Sequence, residues 1–160
     1  LVAAMNPCPC GNYGSRIHPC RCAKSQIERY RGRISGPLLD RIDIQIEVPP
    51  VERINPGMAP SGESSHAIRL RVIVARQTAQ ERFHEFGWVC NAQATGTWLR
   101  ANTSTKAIEL VNHALASERL SLRGADRAMR LAWTLADLSG KTAPGPEEMM
   151  QGISMRTKLT

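Results

Sequence analysis

The chain has 160 residues, of which 42% are hydrophobic and 22% charged, so a disordered polymer is excluded and one or two small domains are expected. No apolar run is long enough to cross a bilayer and no basic flank precedes the first residues, so neither a membrane span nor a signal peptide is predicted and a cytoplasmic location is expected. The net charge is +7, and residues 1–41 hold seven basic against two acidic side chains. This excess indicates either a phosphate-bearing partner or a solvated surface.

The first residues predict a strand, a loop and a short helix. Leu1–Met5 is a continuous apolar run typical of a buried parallel strand, and without an initiator Met it is interpreted as an entry partway through a larger protein. Residues 6–23 are rich in Pro, Gly, Asn and Cys, which predicts an irregular loop. Ser25 is a suitable N-cap, so a short helix is predicted over residues 26–31.

A second strand and a domain boundary follow. Apolar and polar side chains alternate over residues 42–48, which predicts a strand that Pro49 and Pro50 end. The next residues are rich in Pro and Gly, and a linker is predicted at 51–64. The chain is therefore divided into a first part, residues 1–50, and a second part, residues 65–160.

The second part predicts a small bundle of four helices. The first helix carries one apolar stripe, at Ile68, Val72, Ala75, Ala79, Phe83 and Phe86. Residues 87–103 do not favour one structure. Thr103 or Ser104 is expected to cap the second helix, Ser121 the third, and Pro146 to open the fourth.

Four cysteines in the loop form two Cys-x-Cys pairs, Cys8 with Cys10 and Cys20 with Cys22. Four thiolates on two short turns can surround one zinc ion tetrahedrally, and such a site is structural because no position is left for water. Disulfides are the competing interpretation, although neighbouring Cys-x-Cys pairs close poorly on themselves. Free structural cysteines are the third, and His18 is a substitute ligand should one cysteine not bind.

Two blocks of sequence resemble a known family. Met5-Asn6-Pro-Cys-Pro-Cys-Gly11, with Cys20-Arg-Cys22 and the segment from Tyr30 to Asp43, is similar to the magnesium-chelatase-like AAA+ ATPases, most of all to the competence-associated ComM group. The block from Leu120 to Leu138 resembles the start of that family's C-terminal lid. The resemblance implies a mainly α chain, a helical lid bundle preceded by a truncated α/β remnant with two short strands and a zinc-knuckle loop.

The resemblance also implies roles for four polar residues. Asn6 matches the sensor-1 residue that orients the attacking water, although an Asn before Pro also suits a simple turn. Arg41 matches the arginine finger presented to the neighbouring subunit's ATP, and a salt bridge to a nearby aspartate is the alternative. Arg123 matches sensor 2, with Arg127 beside it as a second nucleotide contact. Arg130 continues their stripe at i, i+4 and i+7, which a solvated helix face would also explain.

The function implied is that of the C-terminal part of a homo-oligomeric ring ATPase that acts on DNA and uses ATP with Mg²⁺ and a structural zinc ion. A magnesium-chelatase-type subunit for metal insertion and an isolated zinc-stabilised binding module are the alternatives. No Gly-x-x-x-x-Gly-Lys-Ser/Thr loop occurs in the sequence, so this stretch alone is not expected to hydrolyse ATP. Trp133 replaces an arginine expected in the lid, and Met155-Arg156 replaces a Tyr-Arg pair.

Overall fold

The computed structural model describes residues 1–48 and 62–156, which form two compact units. The N-terminal unit comprises Leu1–Ile42 with Val48, and the helical unit comprises Asp43–Glu47 with residues 62–156. The predicted boundary at residues 51–64 lies mostly outside these described ranges. The elements in chain order are α1 (Lys24–Arg31), α2 (Gly36–Leu39), α3 (Ser65–Arg82), α4 (Gly96–Asn102), α5 (Thr105–Ala116), α6 (Leu122–Leu138) and α7 (Pro146–Ser154), with short 3₁₀ turns at His84–Phe86 and Asn91–Gln93.

The predicted mainly α class is confirmed, but the two predicted strands are absent from the described part of the chain. Leu1–Met5 is irregular and exposed throughout. A strand requires a neighbour to accept and donate its backbone hydrogen bonds, and residues 1–48 and 62–156 supply none beside this run. An apolar composition alone therefore did not produce the element.

The alternating segment at residues 42–48 is also not a strand, and its burial does not follow the alternation of apolar and polar side chains. Gln45 is buried, whereas Ile44 and Ile46 are exposed. The backbone N–H of Gln45 donates to the carbonyl of Met155 at 2.8 Å, just beyond α7. This contact buries Gln45, whereas Asp43 and Glu47 stay exposed together with Ile44 and Ile46.

The N-terminal unit has little regular structure. Helix α1 begins after Ala23, not at the predicted cap Ser25, and the side-chain oxygen of Gln26 accepts a hydrogen bond from the Ala23 backbone N–H at 3.1 Å. Ile27 is the one residue of α1 that is buried. The helix is therefore positioned by its end contacts and by the preceding loop more than by an apolar face.

The helical unit is built around α6. Its predicted N-cap, Ser121, is confirmed, because the hydroxyl accepts a hydrogen bond from the Gly124 N–H at 3.0 Å. One face of the helix is fully buried, and the core around it contains Phe83, Ala94, Leu99, Ala107, Val111, Ala114, Leu120, Ala125, Ala128, Met129, Ala132, Trp133, Met149 and Ile153. One-sided burial of this kind is typical of an amphipathic helix with a period of 3.6 residues.

Helix α7 packs unusually close to α6. Gly152 lies so near the carbonyl of Ala128 that a Cβ at residue 152 would be 2.6 Å from that oxygen. Pro146 opens α7 as predicted, and the Glu148 carboxylate accepts from the Gly145 N–H at 2.9 Å. The same carboxylate pairs with Lys141.

The structure contains a fifth helix, α4, in the stretch for which the sequence favoured no structure. Thr95 caps it through its hydroxyl, which accepts from the Trp98 N–H at 3.3 Å. The Trp98 ring lies edge-on to Phe83, with ring centroids 4.9 Å apart. Burial of this aromatic pair, a tertiary effect, stabilises a helix whose local sequence is ambiguous.

A buried ion pair connects α3 to α6. The guanidinium of Arg82 pairs with the carboxylate of Asp137, and their side chains are 13% and 2% exposed. Asn91 donates to the same carboxylate at 2.7 Å, and the Arg82 guanidinium lies 4.5 Å above the Trp133 ring. Trp133, an unexpected residue in the family motif, therefore belongs to the core and supports Arg82. No helix among residues 1–48 and 62–156 is long and apolar enough to cross a membrane.

Candidate functional site

The four cysteines of the loop form one compact cluster. Their Sγ atoms all lie within 4.8 Å of one another. The sulfur of Cys8 is 3.4 Å from that of Cys10 and 3.7 Å from that of Cys20, and Cys10 and Cys20 are 3.7 Å apart. None of the cysteines is in a disulfide. The sequence-predicted residues are thus brought together, Cys22 included, and His18 is not part of the group.

These spacings suit a tetrahedral metal site. A metal–sulfur bond of about 2.3 Å places the corners of a regular tetrahedron about 3.8 Å apart, close to the distances between the sulfurs here. The cluster therefore has room for one four-coordinate ion held by protein ligands only. A disulfide requires sulfurs about 2.0 Å apart, so each pair would have to move together to form one.

Backbone turns and one arginine shape the loop. Gly11 and Gly14 have φ angles of +79° and +83°, a region that residues with a Cβ rarely adopt. The Arg31 guanidinium, from α1, donates to the carbonyl of Pro7 at 3.1 Å and lies 5.0 Å above the Tyr13 ring. Arg31 therefore connects the loop to α1, a role that no local sequence pattern predicted.

The surroundings of the cluster favour ionisation of the Cys10 thiol and oppose ionisation of the Cys22 thiol, as their pKa values show. Backbone hydrogen bonds from Arg21 and Asn12 lower the pKa of the Cys10 thiol to about 6. A backbone hydrogen bond from Cys10 favours the Cys22 thiolate, but desolvation and the neighbouring sulfurs outweigh it and raise the pKa of Cys22 to about 12. A bound divalent cation would lower the pKa of Cys22 and of the other cysteines, because it stabilises every thiolate that contacts it.

Exposed basic side chains surround the loop and α1. Arg21, Lys24, Arg29 and Arg33 are exposed, and Lys24 makes only a 3.9 Å contact with Glu28. Surface ion pairs of this kind are weak. The unit therefore presents positive charge to solvent, as the sequence composition predicted.

Two residues predicted to act at ATP also belong to the N-terminal unit. Asn6 is exposed and follows an irregular segment. Arg41 is exposed and follows α2, where its guanidinium donates to the Pro37 carbonyl at 2.9 Å. Neither side chain is buried, so each is accessible to a ligand.

The three arginines of α6 have different environments. Arg130 donates twice to the carbonyl of Ala94, at 2.9 and 3.0 Å. Arg127 forms an ion pair with Asp43. Arg123, in the first turn, is exposed and makes no hydrogen bond or ion pair with residues 1–48 or 62–156. The predicted stripe therefore contains two structural arginines and one available guanidinium.

Asp43 and Gln45 contact residues near the C-terminal end of the described chain, and the sequence patterns did not predict these contacts. Arg156 is buried and donates from Nη1 to the Asp43 carbonyl at 3.2 Å. Gln45 is buried beside the end of α7. A buried arginine next to an acidic segment gives no local signal, because the two lie more than a hundred residues apart in sequence.

Comparison with known proteins agrees with the resemblance of the motifs. Residues 62–156 match the C-terminal family of magnesium chelatase subunit ChlI, and residues 1–56 match the magnesium chelatase subunit ChlI family. The chain is 41% identical to an uncharacterised protein of Mycobacterium tuberculosis over 98% of its length and 34% identical to the competence protein ComM of Haemophilus influenzae over 99%. It is 31% identical to the protein YifB of Escherichia coli over 98%.

The chain spans about 31% of the length of these curated relatives. The C-terminal family match covers more than half of the chain, and it coincides with the described helical unit from residue 62 onward. The motif block from Leu120 to Leu138, with its capped helix and single buried face, lies inside that match. The chain therefore belongs to the magnesium-chelatase-like family that includes the ComM-type proteins.

Proposed function

We propose that this chain is the C-terminal part of a ring-forming AAA+ ATPase that acts on DNA. Asn6 serves as sensor 1, Arg41 as the arginine finger offered to a neighbouring subunit, and Arg123 as sensor 2 for the subunit's own nucleotide. The catalytic chemistry resides in the complete ring, since the phosphate-binding loop is not within this sequence. ATP with Mg²⁺ is the cofactor, and the whole acts as a homo-oligomer.

The observation that carries the proposal is that the Arg123 side chain is exposed and makes no hydrogen bond or ion pair with the described residues. Its neighbours on the same helix face are occupied by protein partners, Arg127 by Asp43 and Arg130 by Ala94, whereas Arg123 is exposed at the first turn of α6. An arginine that supports the fold is expected to be paired, and one that binds phosphate is expected to be available. A nucleotide contact by Arg127 as well would require it to exchange the Asp43 carboxylate for phosphate.

Two features support DNA as the substrate. The N-terminal unit exposes basic side chains around a rigid loop, which suits contacts with a phosphate backbone. The Haemophilus influenzae relative carries the name of a competence protein. A ring is supported by the role given to Arg41, because a finger acting in a neighbour requires head-to-tail contacts that close on themselves.

We also propose that the four-cysteine cluster holds a structural zinc ion. Zinc accepts four thiolates in tetrahedral geometry. The sulfurs of Cys8, Cys10 and Cys20 are 3.4 to 3.7 Å apart, and that of Cys22 lies within 4.8 Å of each, which suits such a site. Cys8, Cys10, Cys20 and Cys22 would fill all four positions, so the ion would fix the loop and would not activate water. The basic side chains near the loop offset the negative charge of the four-thiolate centre.

ATP hydrolysis by the full-length protein, with and without DNA, tests the proposal. We expect stimulation by DNA, loss of about 10³-fold or more in rate with Arg41→Ala, and a comparable defect with Arg123→Ala. Arg76→Ala, which removes an exposed arginine from α3, is the matched control and should retain the wild-type rate. Hydrolysis indifferent to DNA would favour a chelatase-type role, and no hydrolysis at all would overturn the ATPase.

A further inference from the structure

One end of the helical unit holds a segment of chain that immediately follows Arg41. Asp43–Glu47 belongs to this unit, is attached to it through Asp43 and Gln45, and carries no regular secondary structure. The Asp43 carboxylate pairs with Arg127, the Asp43 carbonyl accepts from Arg156 at 3.2 Å, and the Gln45 N–H donates to Met155 at 2.8 Å. An irregular segment with three long-range contacts is held by those contacts and not by its own propensity.

Only one of the three contacts involves an exposed charge. The Asp43 side chain is 63% exposed and that of Arg127 is 21% exposed. Solvent at the Asp43 carboxylate screens this pair, so it contributes less to folding stability than a fully buried pair. The other two contacts join backbone atoms of the segment to residues just beyond α7. A change of the Asp43 side chain therefore removes a restraint toward α6 without detaching the segment. The carboxylate is therefore not explained by a need to stabilise the fold.

Each residue of the Asp43–Arg127 pair lies close in sequence to a predicted catalytic arginine. Arg41 precedes Asp43 by two residues, so its Cα is at most about 7 Å of extended chain from the fixed point. Arg127 lies one helical turn after Arg123 on the same face of α6. The Asp43–Arg127 contact thus restricts the reach of Arg41 while leaving Arg123 free at the start of the helix.

We infer that Asp43 and Arg127 are positioning residues, whose ion pair sets the placement of the Arg41 finger for the neighbouring subunit's ATP. This inference rests on the proposed function. Arg127 then acts on catalysis through Asp43, and not by binding nucleotide itself. The effect of breaking the pair should appear in the chemical step, because a finger displaced by about 1 Å loses about 10²-fold in rate.

Steady-state ATP hydrolysis by full-length Asp43→Asn and Arg127→Gln provides the test. Each variant should lower kcat by about 10²-fold with KM for ATP within about twofold of wild type. The double variant should be no worse than either single one, since both remove the same contact. The exchanged pair, Asp43→Arg with Arg127→Asp, should recover about tenfold of the loss.

A matched control is available in the same unit. Glu63 pairs with Arg71 on α3 at 2.6 Å, with both side chains about half exposed. Glu63→Gln removes an ion pair of similar exposure and should leave kcat unchanged. Thermal unfolding of Asp43→Asn should match that of the wild type, which separates misplacement of the finger from loss of the fold.

Mixing subunits distinguishes a positioning role from a purely structural one. Rings of Asp43→Asn with Arg123→Ala should regain about a quarter of the wild-type rate, because that fraction of random interfaces has an intact finger facing an intact sensor 2. Mixing Asp43→Asn with Arg41→Ala should give no recovery, since every finger is then defective.

The outcomes separate this inference from the proposed function. Loss of activity in Arg41→Ala with wild-type rates in Asp43→Asn would overturn the positioning role alone. A raised KM with unchanged kcat in Arg127→Gln would also overturn it and would instead identify Arg127 as a nucleotide contact. A wild-type protein without ATPase activity, or an Arg41→Ala variant without a defect, would overturn both.

Discussion

In the N-terminal unit, Cys8 and Ile27 are the buried apolar side chains among the residues described, whereas the helical unit buries a continuous cluster around α6. Over its described residues the first unit has two short helices, and its loop is shaped by glycines, Arg31 and four clustered sulfurs. The second unit has five helices held by apolar packing and a buried ion pair. Two parts of one chain thus depend on different interactions for their structure.

The two units differ in how much apolar burial contributes to their folding. Burial of apolar surface stabilises at about 25 cal/mol per Å², so a unit that buries few apolar side chains lacks the main favourable contribution to folding. Small domains with this deficit usually rely on metals, disulfides or neighbouring structure. The helical unit instead buries a continuous apolar core around α6, which supplies that contribution.

Removal of the metal should have the largest effect and act on one unit only. Structural zinc contributes about 10–16 kcal/mol to the folding of small peptides, and we expect chelation to abolish hydrogen-exchange protection in residues 6–31. Protection in α6 should not change. Exchange of the zinc-loaded protein before and after chelation is the measurement, with Cys90→Ser, outside the cluster, as the variant that should still bind zinc. Full protection of residues 6–31 without zinc would contradict the proposed site.

Asp137→Asn should lower the free energy of unfolding of the helical unit. The change leaves the Arg82 guanidinium in a largely buried position without its ionic partner, and breaking such a pair typically costs about 3–5 kcal/mol. Denaturant unfolding followed by helical circular dichroism measures the loss, and zinc affinity should stay the same. The exposed pair of Glu63 and Arg71 is the comparison, since Glu63→Gln should cost at most about 1 kcal/mol. Equal effects of the two substitutions would contradict the importance of burial.

The smallest expected effect is a pH dependence confined to the helical unit. The side-chain hydrogen bond from Lys141 holds the pKa of Glu148 below its usual value. A carboxylate whose pKa is lower in the folded state contributes stability above its unfolded pKa of about 4.3 and loses it as pH falls through the folded pKa. The melting temperature of Glu148→Gln should therefore decline less than that of the wild type on acidification below about pH 4.5. Parallel declines would show that this pair does not contribute.

Local chemistry was sufficient to predict several elements. Ser121 and Pro146 are confirmed as residues that begin helices, because helix starts depend on chemistry within a few residues. The cysteine cluster was also predictable from its spacing. The roles of Asn6, Arg41 and Arg123 stay predictions, since the exposure of these side chains is compatible with ligand contact but does not test it.

The rest depends on contacts between distant residues. The alternation at residues 42–48 predicted a strand, but burial of Gln45 against the end of α7 decided the outcome. Helix α4 required the aromatic packing of Trp98, and Trp133 became part of the Arg82 network. None of these contacts has a local signature, so sequence patterns could not reveal them.

The close approach at Gly152 has a mechanical consequence. No side chain stands between α6 and α7 at this crossing, and close-packed interiors transmit displacement because they compress little. A displacement of the first turn of α6, where Arg123 lies, would therefore be transmitted to the end of α7, because the two helices would move as one rigid body. A larger side chain at residue 152 would separate the two helices and weaken this transmission without changing Arg123 itself.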